Sequence, residues 1–82
     1  MKVFLASAAL KHYKKLDNNK KDKINKKISL LSSSPFSGKK LTGEFKGSYS
    51  LRAWPYRIIY SINSPLHEIW IESILHRQGV YK

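Results

Sequence analysis

Five side chains in the last third of the chain can do chemistry on a phosphate: Arg52, Arg57, His76, Arg77 and Tyr81. Arginine binds two phosphate oxygens through its planar fork and stays charged. Histidine titrates near neutrality and moves protons. Tyrosine stacks on a base or donates a proton. Around an open sheet, this set suits metal-free RNA cleavage, in which a ribose 2′-hydroxyl attacks its own phosphate and the 5′-oxygen leaves. That reaction needs a base, an acid and cations for the charge on the phosphorane. Each residue also has a plainer reading. Arg52 and Arg57 can be solvent-side strand residues, His76 an exposed strand-end histidine, and Tyr81 a cap on the sheet. Trp54 and Trp70 read as packing residues and not as base platforms. Glu44, in a loop close to Lys46, reads as a surface charge before it reads as a base.

The surrounding charge strengthens the phosphate reading. Sixteen Lys and Arg stand against five Asp and Glu, a formal net charge of +11, so a polyanion is the first partner to consider. The run from Lys20 to Lys27 reads first as a solvated helix face. In the polyanion reading, its Lys23, Lys26 and Lys27 touch RNA through sequence-independent electrostatics. The absence of cysteine removes disulfide staples and cysteine-based zinc sites, and it fits the cytosol. His12, His67 and His76 are isolated in the sequence, so neither metal nor cofactor is expected. The 82 residues make one domain, 1–82, with a thin core that buries about 60–65% of the unfolded surface. No membrane span is expected, because the near-apolar stretch Ile69 to Leu75 is interrupted by Glu72 and Ser73 and falls far short of the ~20 residues needed. The opening residues, Met1 to Leu10, superficially resemble a signal peptide. They run directly into His12 to Leu16, and we read them as a strand entering a helix.

The elements that must position the chemistry follow from periodicity. Lys2 to Ala6 is a short strand. Ser7 is the expected N-cap of a helix to about Lys15, with Leu10 and Tyr13 on one face and Leu16 just beyond. Asp17-Asn18-Asn19 breaks it. A second helix runs from about Asn19 to Leu31, with Ile24, Ile28 and Leu31 as its buried stripe, and Ser32 to Pro35 ends it. So short a break makes the pair an antiparallel hairpin. Residues 35–46 read as a loop. Period-2 patterning then puts Tyr49, Leu51 and Ala53 on one face and Ser48, Ser50 and Arg52 on the other. After a turn at Trp54-Pro55, Tyr56, Ile58, Tyr60 and Ile62 alternate with Arg57, Ile59 and Ser61. After a turn at Asn63-Ser64-Pro65, Ile69, Ile71, Ser73 and Leu75 alternate with Trp70, Glu72, Ile74 and His76. The fold class is therefore α+β, a helical hairpin on one face of a small antiparallel meander. The other face is expected to carry Arg52, Arg57 and His76, with the tail Arg77 to Tyr81 folded across its end.

Four stretches carry a resemblance: Leu41-Thr-Gly-Glu-Phe-Lys-Gly47, Tyr49-Ser-Leu-Arg52, Tyr56-Arg-Ile-Ile-Tyr60 and His76-Arg-Gln-Gly-Val-Tyr81. Together they resemble the RelE/ParE superfamily of bacterial toxins from type II toxin–antitoxin systems, and the resemblance covers the whole domain. It implies a RelE-like fold, in which the N-terminal strand adds a parallel pairing. RelE-like members cut mRNA in the ribosomal A site, whereas ParE-like members poison DNA gyrase. The resemblance places the phosphate-stabilising arginine at Arg57, a second basic position at His76 or Arg77, and the terminal aromatic at Tyr81. Arg52 matches the basic residue that closes the preceding strand. Some RelE-type nucleases carry lysines before that residue, one of them proposed as a base. Ser48 and Ser50 stand there in this chain, with Lys46 in the adjoining loop, which leaves His76 as the proton shuttle.

The His-Arg-x-x-Val-Tyr ending favours the RelE branch. The resemblance thus implies a ribosome-dependent, metal-free endoribonuclease in the bacterial cytoplasm. Lys46, Arg52 and Arg77 would hold phosphate. Its partners would be mRNA, ribosomal RNA and a cognate antitoxin, with no membrane and no cofactor. The alternatives are a gyrase inhibitor without nuclease activity and a basic nucleic-acid-binding module without chemistry.

Overall fold

A computed structural model describes residues 1–43 and 47–76. The chain enters as strand β1 (Lys2–Leu5), turns into helix α1 (Ser7–Lys14) and, after a short break, helix α2 (Asn18–Ser33). Strands β2 (Lys39–Lys40), β3 (Ser48–Ala53), β4 (Tyr56–Asn63) and β5 (Glu68–His76) follow, with a 3-10 turn at Ser64–Leu66 before the last. The expected hairpin and meander are present. Three local details differ. Ser7 is the first helical residue and Ala6 the N-cap, with no side-chain cap bond, so α1 starts on packing and not on a cap. The Asp17-Asn18-Asn19 break is tighter than expected, because Asp17 itself caps α2 by accepting the Lys20 N–H at 3.0 Å. The 35–46 stretch holds β2, too short to show a period, paired through Lys39↔Ser50 and Lys40↔Tyr49.

The sheet order is β1-β5-β4-β3-β2. β1 runs parallel to β5, with Val3 opposite Ile69 and Leu5 opposite Ile71, and the other pairings are antiparallel. Both helices lie on one face. Ala9, Ile24 and Leu31 from the helices meet Ala53, Ile58, Tyr60, Ile69, Ile71 and Ile74 from the sheet in one buried cluster. The stripe Ile24, Ile28, Leu31 packs as its spacing predicts. On α1 the stripe is rotated: Ala9 is buried and Leu10 is exposed. The start of the chain is tied to the end of α2. The Met1 amine donates to the Ser32 carbonyl and Ser32 Oγ donates to the Met1 carbonyl, each at 3.0 Å.

One irregularity reorders the far end of the sheet. β5 pairs with β4 as Ile59↔Ser73 and then Tyr60↔Ile71, so Glu72 has no opposite number. An extra residue of this kind is a β-bulge, and it shifts the phase of every side chain beyond it. Ile69 and Ile71 face the helices before the bulge, and Ile74 does so after it. The expected alternation of Ile71, Ser73 and Leu75 is therefore broken. Ser73 and Leu75 move to the open face, and Ile74 and His76 to the helix side.

Candidate functional site

Arg52 and Arg57 are direct partners across the β3–β4 hairpin. Residues directly opposite on antiparallel strands share a face, and here it is the face away from the helices. Like charges so placed oppose each other across the hairpin and do not by themselves favour folding. Arg52 is exposed and Arg57 half-buried. Together with Ser37, Lys39, Ser50 and Leu51 they line a cavity of about 340 Å³. Three cations and two hydroxyls thus converge, and no described residue lining the cavity is acidic. Such a set binds phosphate, with the guanidinium forks gripping oxygens and the Ser50 hydroxyl donating to one left over, while the Ser37 hydroxyl proton goes to the Ser34 carbonyl. Lys39 and Ser37 were not singled out in the sequence. The signal that could have found them is the Gly38-Lys39-Lys40 step, where two lysines follow a glycine just before a strand pairing.

The wall of this cavity is held from the core. Tyr60 Oη, fully buried, donates to the Pro35 carbonyl at 2.9 Å and accepts the Gly38 N–H at 3.0 Å. Burial pushes the Tyr60 phenol above its ordinary range; the Gly38 N–H pulls the other way and loses, and neighbouring Tyr49 adds to the rise. Tyr49 stacks on Tyr60 at 5.4 Å between centroids, and Phe36 meets Tyr49 edge-on at 6.0 Å. Gly38 admits no side chain. A Cβ there would lie 2.5 Å from Tyr60 Oη and 2.9 Å from the Ser50 carbonyl oxygen. Ser37 Oγ closes the segment by donating to the Ser34 carbonyl at 2.7 Å. A core tyrosine therefore places the segment that carries Ser37 and Lys39.

The structure corrects several sequence assignments. His76 does not share the face of Arg52 and Arg57. It is paired with Tyr56, on the helix side, and its ring meets Tyr56 edge-on at 5.3 Å between centroids. The Glu72 bulge is the reason, and the residue on the Arg57 rung is Leu75. Lys23 donates to the Trp54 carbonyl at 2.8 Å, tying α2 to the β3–β4 turn, so it is a structural lysine before it is an RNA contact. Lys26 is exposed and Lys27 half-buried, both on the helix side. Trp54 and Trp70 are not buried packing residues: 53% and 38% of their surfaces are exposed. Trp70 stacks on Phe4 at 5.0 Å on the open face, at the opposite end from the arginines. Lys46, Arg77 and Tyr81, and with them Glu44, lie outside the described residues.

Two further contacts frame the end of β5. The bulged Glu72 accepts the Ser48 hydroxyl at 3.1 Å, placing the acidic pole of the open face away from the arginines. His12 of α1 accepts the Ile74 N–H on Nδ1 at 3.1 Å. Its bond comes after the parallel pairing with β1 has ended at Leu5↔Ile71, so it satisfies a donor that β1 is too short to reach. Among the described residues no three His, Asp or Glu side chains cluster as a metal site, and no helix is long and apolar enough to cross a membrane.

The family model described as the ParE toxin of type II toxin–antitoxin system, parDE, matches residues 3–81. No curated protein sequence matches the chain. Among solved structures, the toxin–antitoxin complex RelBE2 from Mycobacterium tuberculosis contains a chain 27% identical with a TM-score of 0.85, covering 93% of this chain and 96% of that one. A chain of the archaeal RelE–RelB complex from Pyrococcus horikoshii is 25% identical at a TM-score of 0.78, covering 93% of each chain. The YoeB/ParE toxin from Agrobacterium tumefaciens shares the fold at a TM-score of 0.81 and 21% identity, covering 93% of this chain and 98% of that one.

Proposed function

We propose that this chain, which belongs to the RelE/ParE superfamily of type II toxin–antitoxin toxins, is a RelE-type endoribonuclease that inhibits translation by cutting mRNA in the ribosomal A site. The observation that carries the reading is the opposed pair Arg52 and Arg57, lining one cavity with Lys39, Ser37 and Ser50. Such a cluster, unfavourable for folding and free of acidic lining among the described residues, is suited to a phosphodiester. Arg57 faces the charge that develops on the phosphorane. Arg52 and Lys39 hold the non-bridging oxygens, and the Ser50 hydroxyl orients the backbone. With His76 on the helix side beside Tyr56, we assign the proton steps to Tyr81, and a phosphate contact to Arg77, in the chain that follows β5. Lys46, two residues before β3 in the sequence, adds a further phosphate contact. Lys26 and Lys27 on the helix side bind ribosomal RNA through its phosphates. A cognate antitoxin is the natural protein partner, since the relatives from Mycobacterium tuberculosis and Pyrococcus horikoshii were crystallised in such complexes.

A second reading is favoured by one specific observation. The bulge takes His76 away from the arginine face, which leaves that cavity with cations and hydroxyls but no described proton carrier. A surface of that kind binds without cutting, as expected of a ParE-type gyrase inhibitor. Purified toxin added to ribosomes programmed with a defined mRNA separates the two. Cleavage in the A-site codon, lost in Arg57→Ala, supports the nuclease. Intact mRNA together with inhibited DNA supercoiling by gyrase supports the inhibitor.

A further inference from the structure

Cleavage of a phosphodiester by its own 2′-hydroxyl needs two proton carriers, one to take the 2′-hydroxyl proton and one to supply the departing 5′-oxygen. Tyr81 is one of them. The described residues that line the arginine cavity are Ser37, Lys39, Ser50, Leu51, Arg52 and Arg57, and they offer one candidate for the other. Leucine has no proton to give, and an arginine cannot be deprotonated in a protein. The Ser37 proton is committed to the Ser34 carbonyl. An uncharged serine hydroxyl such as that of Ser50 is in any case a far weaker acid than an ammonium. Lys39 is a cation there, and an ammonium is also an acid. The backbone fixes its place. Lys39 lies directly opposite Ser50, so it shares the face of Ser50 and, two residues on, of Arg52. Such diagonal neighbours are about 7–8 Å apart, within reach of long side chains. Gly38, just before Lys39, donates its N–H to the buried Tyr60 Oη at 3.0 Å, which holds the start of the strand. Lys40 lies opposite Tyr49 and so falls on the helix side.

We propose that Lys39 is the general acid of the reaction and protonates the 5′-oxygen as it leaves. The inference rests on the nuclease reading above and adds to it the donor for the leaving group. An ammonium carries three N–H bonds, so one holds a non-bridging oxygen while another points to the 5′-oxygen. In the step itself the 2′-oxygen bonds to phosphorus, and its proton passes through the Tyr81 hydroxyl to water. The P–O5′ bond breaks, its electron pair stays on the 5′-oxygen, and a proton from Lys39 Nζ joins it. The products are a 2′,3′-cyclic phosphate and a free 5′-hydroxyl. Lys39 is left as a neutral amine and takes its proton back from water. The transfer runs downhill, because an alkoxide is far more basic than an amine. This capacity separates the cavity from a surface that only binds.

The test uses full-length toxin on ribosomes programmed with a defined mRNA in two forms: the ordinary strand, and one with sulfur in place of the bridging 5′-oxygen at the cut. A thiolate leaves without a proton, so the second strand needs no acid. Lys39→Arg keeps the charge and the grip on phosphate but cannot release a proton. It should lower the single-turnover rate on the ordinary strand by about 100–10,000-fold, with the half-saturating concentration nearly unchanged. On the sulfur strand it should come within a few-fold of the wild type. Lys39→Gln should show the same rescue on a background of weaker binding, because the charge is gone. Lys40→Gln, one residue away on the other face, should cut both strands as the wild type does. Thermal melts show that each variant is folded. A Lys39→Arg protein that cuts the ordinary strand at the wild-type rate overturns the general acid and leaves Lys39 as a charge, with the nuclease reading intact. A defect of equal size on both strands also overturns it, since it marks a misplaced phosphate and not a missing proton. A wild type that cuts neither strand removes the nuclease reading itself, and the general acid with it.

Discussion

Two rungs of the β3–β4 hairpin show opposite priorities. At Tyr49↔Tyr60 the side chains face the helices, stack at 5.4 Å, and Tyr60 is fully buried with both hydrogen bonds of its hydroxyl made. At Arg52↔Arg57, three rungs towards the turn, two like charges face each other on the open side. The first rung is what a stable sheet asks for, and the second is what it avoids. The two are nonetheless connected. Tyr60 fixes Pro35 and Gly38, and that segment brings Ser37 and Lys39 to the arginines. One rung supplies stability that the other uses for placement, a pattern expected where function overrides local preference.

The contrast is broken most severely at its charged end. Arg57→Ala should lower A-site cleavage by about 100–1000-fold, as losing one preorganised charge donor costs about 3–4 kcal/mol of transition-state stabilisation. Single-turnover cleavage on programmed ribosomes measures this, and a melt shows whether the fold survives. A folded Arg57→Ala protein of full activity would contradict the role given to the arginine.

At the aromatic rung the same kind of change should read out as stability. Gly38→Ala forces a Cβ against Tyr60 Oη and the Ser50 carbonyl oxygen, and over-packing of this sort costs about 1–3 kcal/mol. Tyr60→Phe leaves the Pro35 carbonyl and the Gly38 N–H without their partner, at about 1–3 kcal/mol. Both should appear in denaturant melts. Tyr60 also carries a pH signature. Its folded pKa is raised chiefly by burial, so the native state holds the phenolic proton more tightly than the unfolded chain does. Its contribution is full below the unfolded value of about 10 and is lost as pH rises through the folded one. Wild-type stability should therefore fall more steeply above pH ~10 than that of Tyr60→Phe. Parallel alkaline curves would remove this account.

The helix side should respond more weakly. Charge reversal at Lys26 and Lys27 should loosen ribosome binding and reduce the slope of log K against log salt by about 0.7–0.9 for each phosphate no longer neutralised. Lys23 is excluded from that pair because it is committed to the Trp54 carbonyl. An unchanged salt slope would show that these lysines are merely solvated. The smallest effect is expected at Arg52→Thr, which should stabilise the fold slightly through relief of the opposed charges while weakening RNA binding. Loss of stability on that change would mean that the arginine pair is structural.

Much of this contrast was legible in the sequence. Alternation in 48–53 and 56–62 assigned Arg52 and Arg57 to one face and Tyr49 and Tyr60 to the other, and the two-residue turn at Trp54-Pro55 set the register. The helical stripe Ile24, Ile28, Leu31 located the core. His76 was misplaced because a bulge interrupts the period. The only trace it leaves is that the buried isoleucines step from 71 to 74 instead of 73. Lys39 was missed because a two-residue strand has no period to detect. The exposure of Trp54 could not be foreseen, since residue type argues for burial and the turn it occupies is held by Lys23, thirty-one positions away. Tyr60 looked like one apolar residue among several. Its part in shaping the cavity depends on a partner segment more than twenty residues earlier.

The most direct test of the central claim is the mapping of mRNA 5′ ends across a bacterial transcriptome after brief induction of the toxin, with Arg57→Ala expressed to the same level beside it. The account predicts new 5′ ends within translated reading frames, dependent on ongoing translation and absent from the Arg57→Ala culture. Growth arrest without new mRNA ends, accompanied by broken DNA, would contradict it and identify the protein as an inhibitor of gyrase.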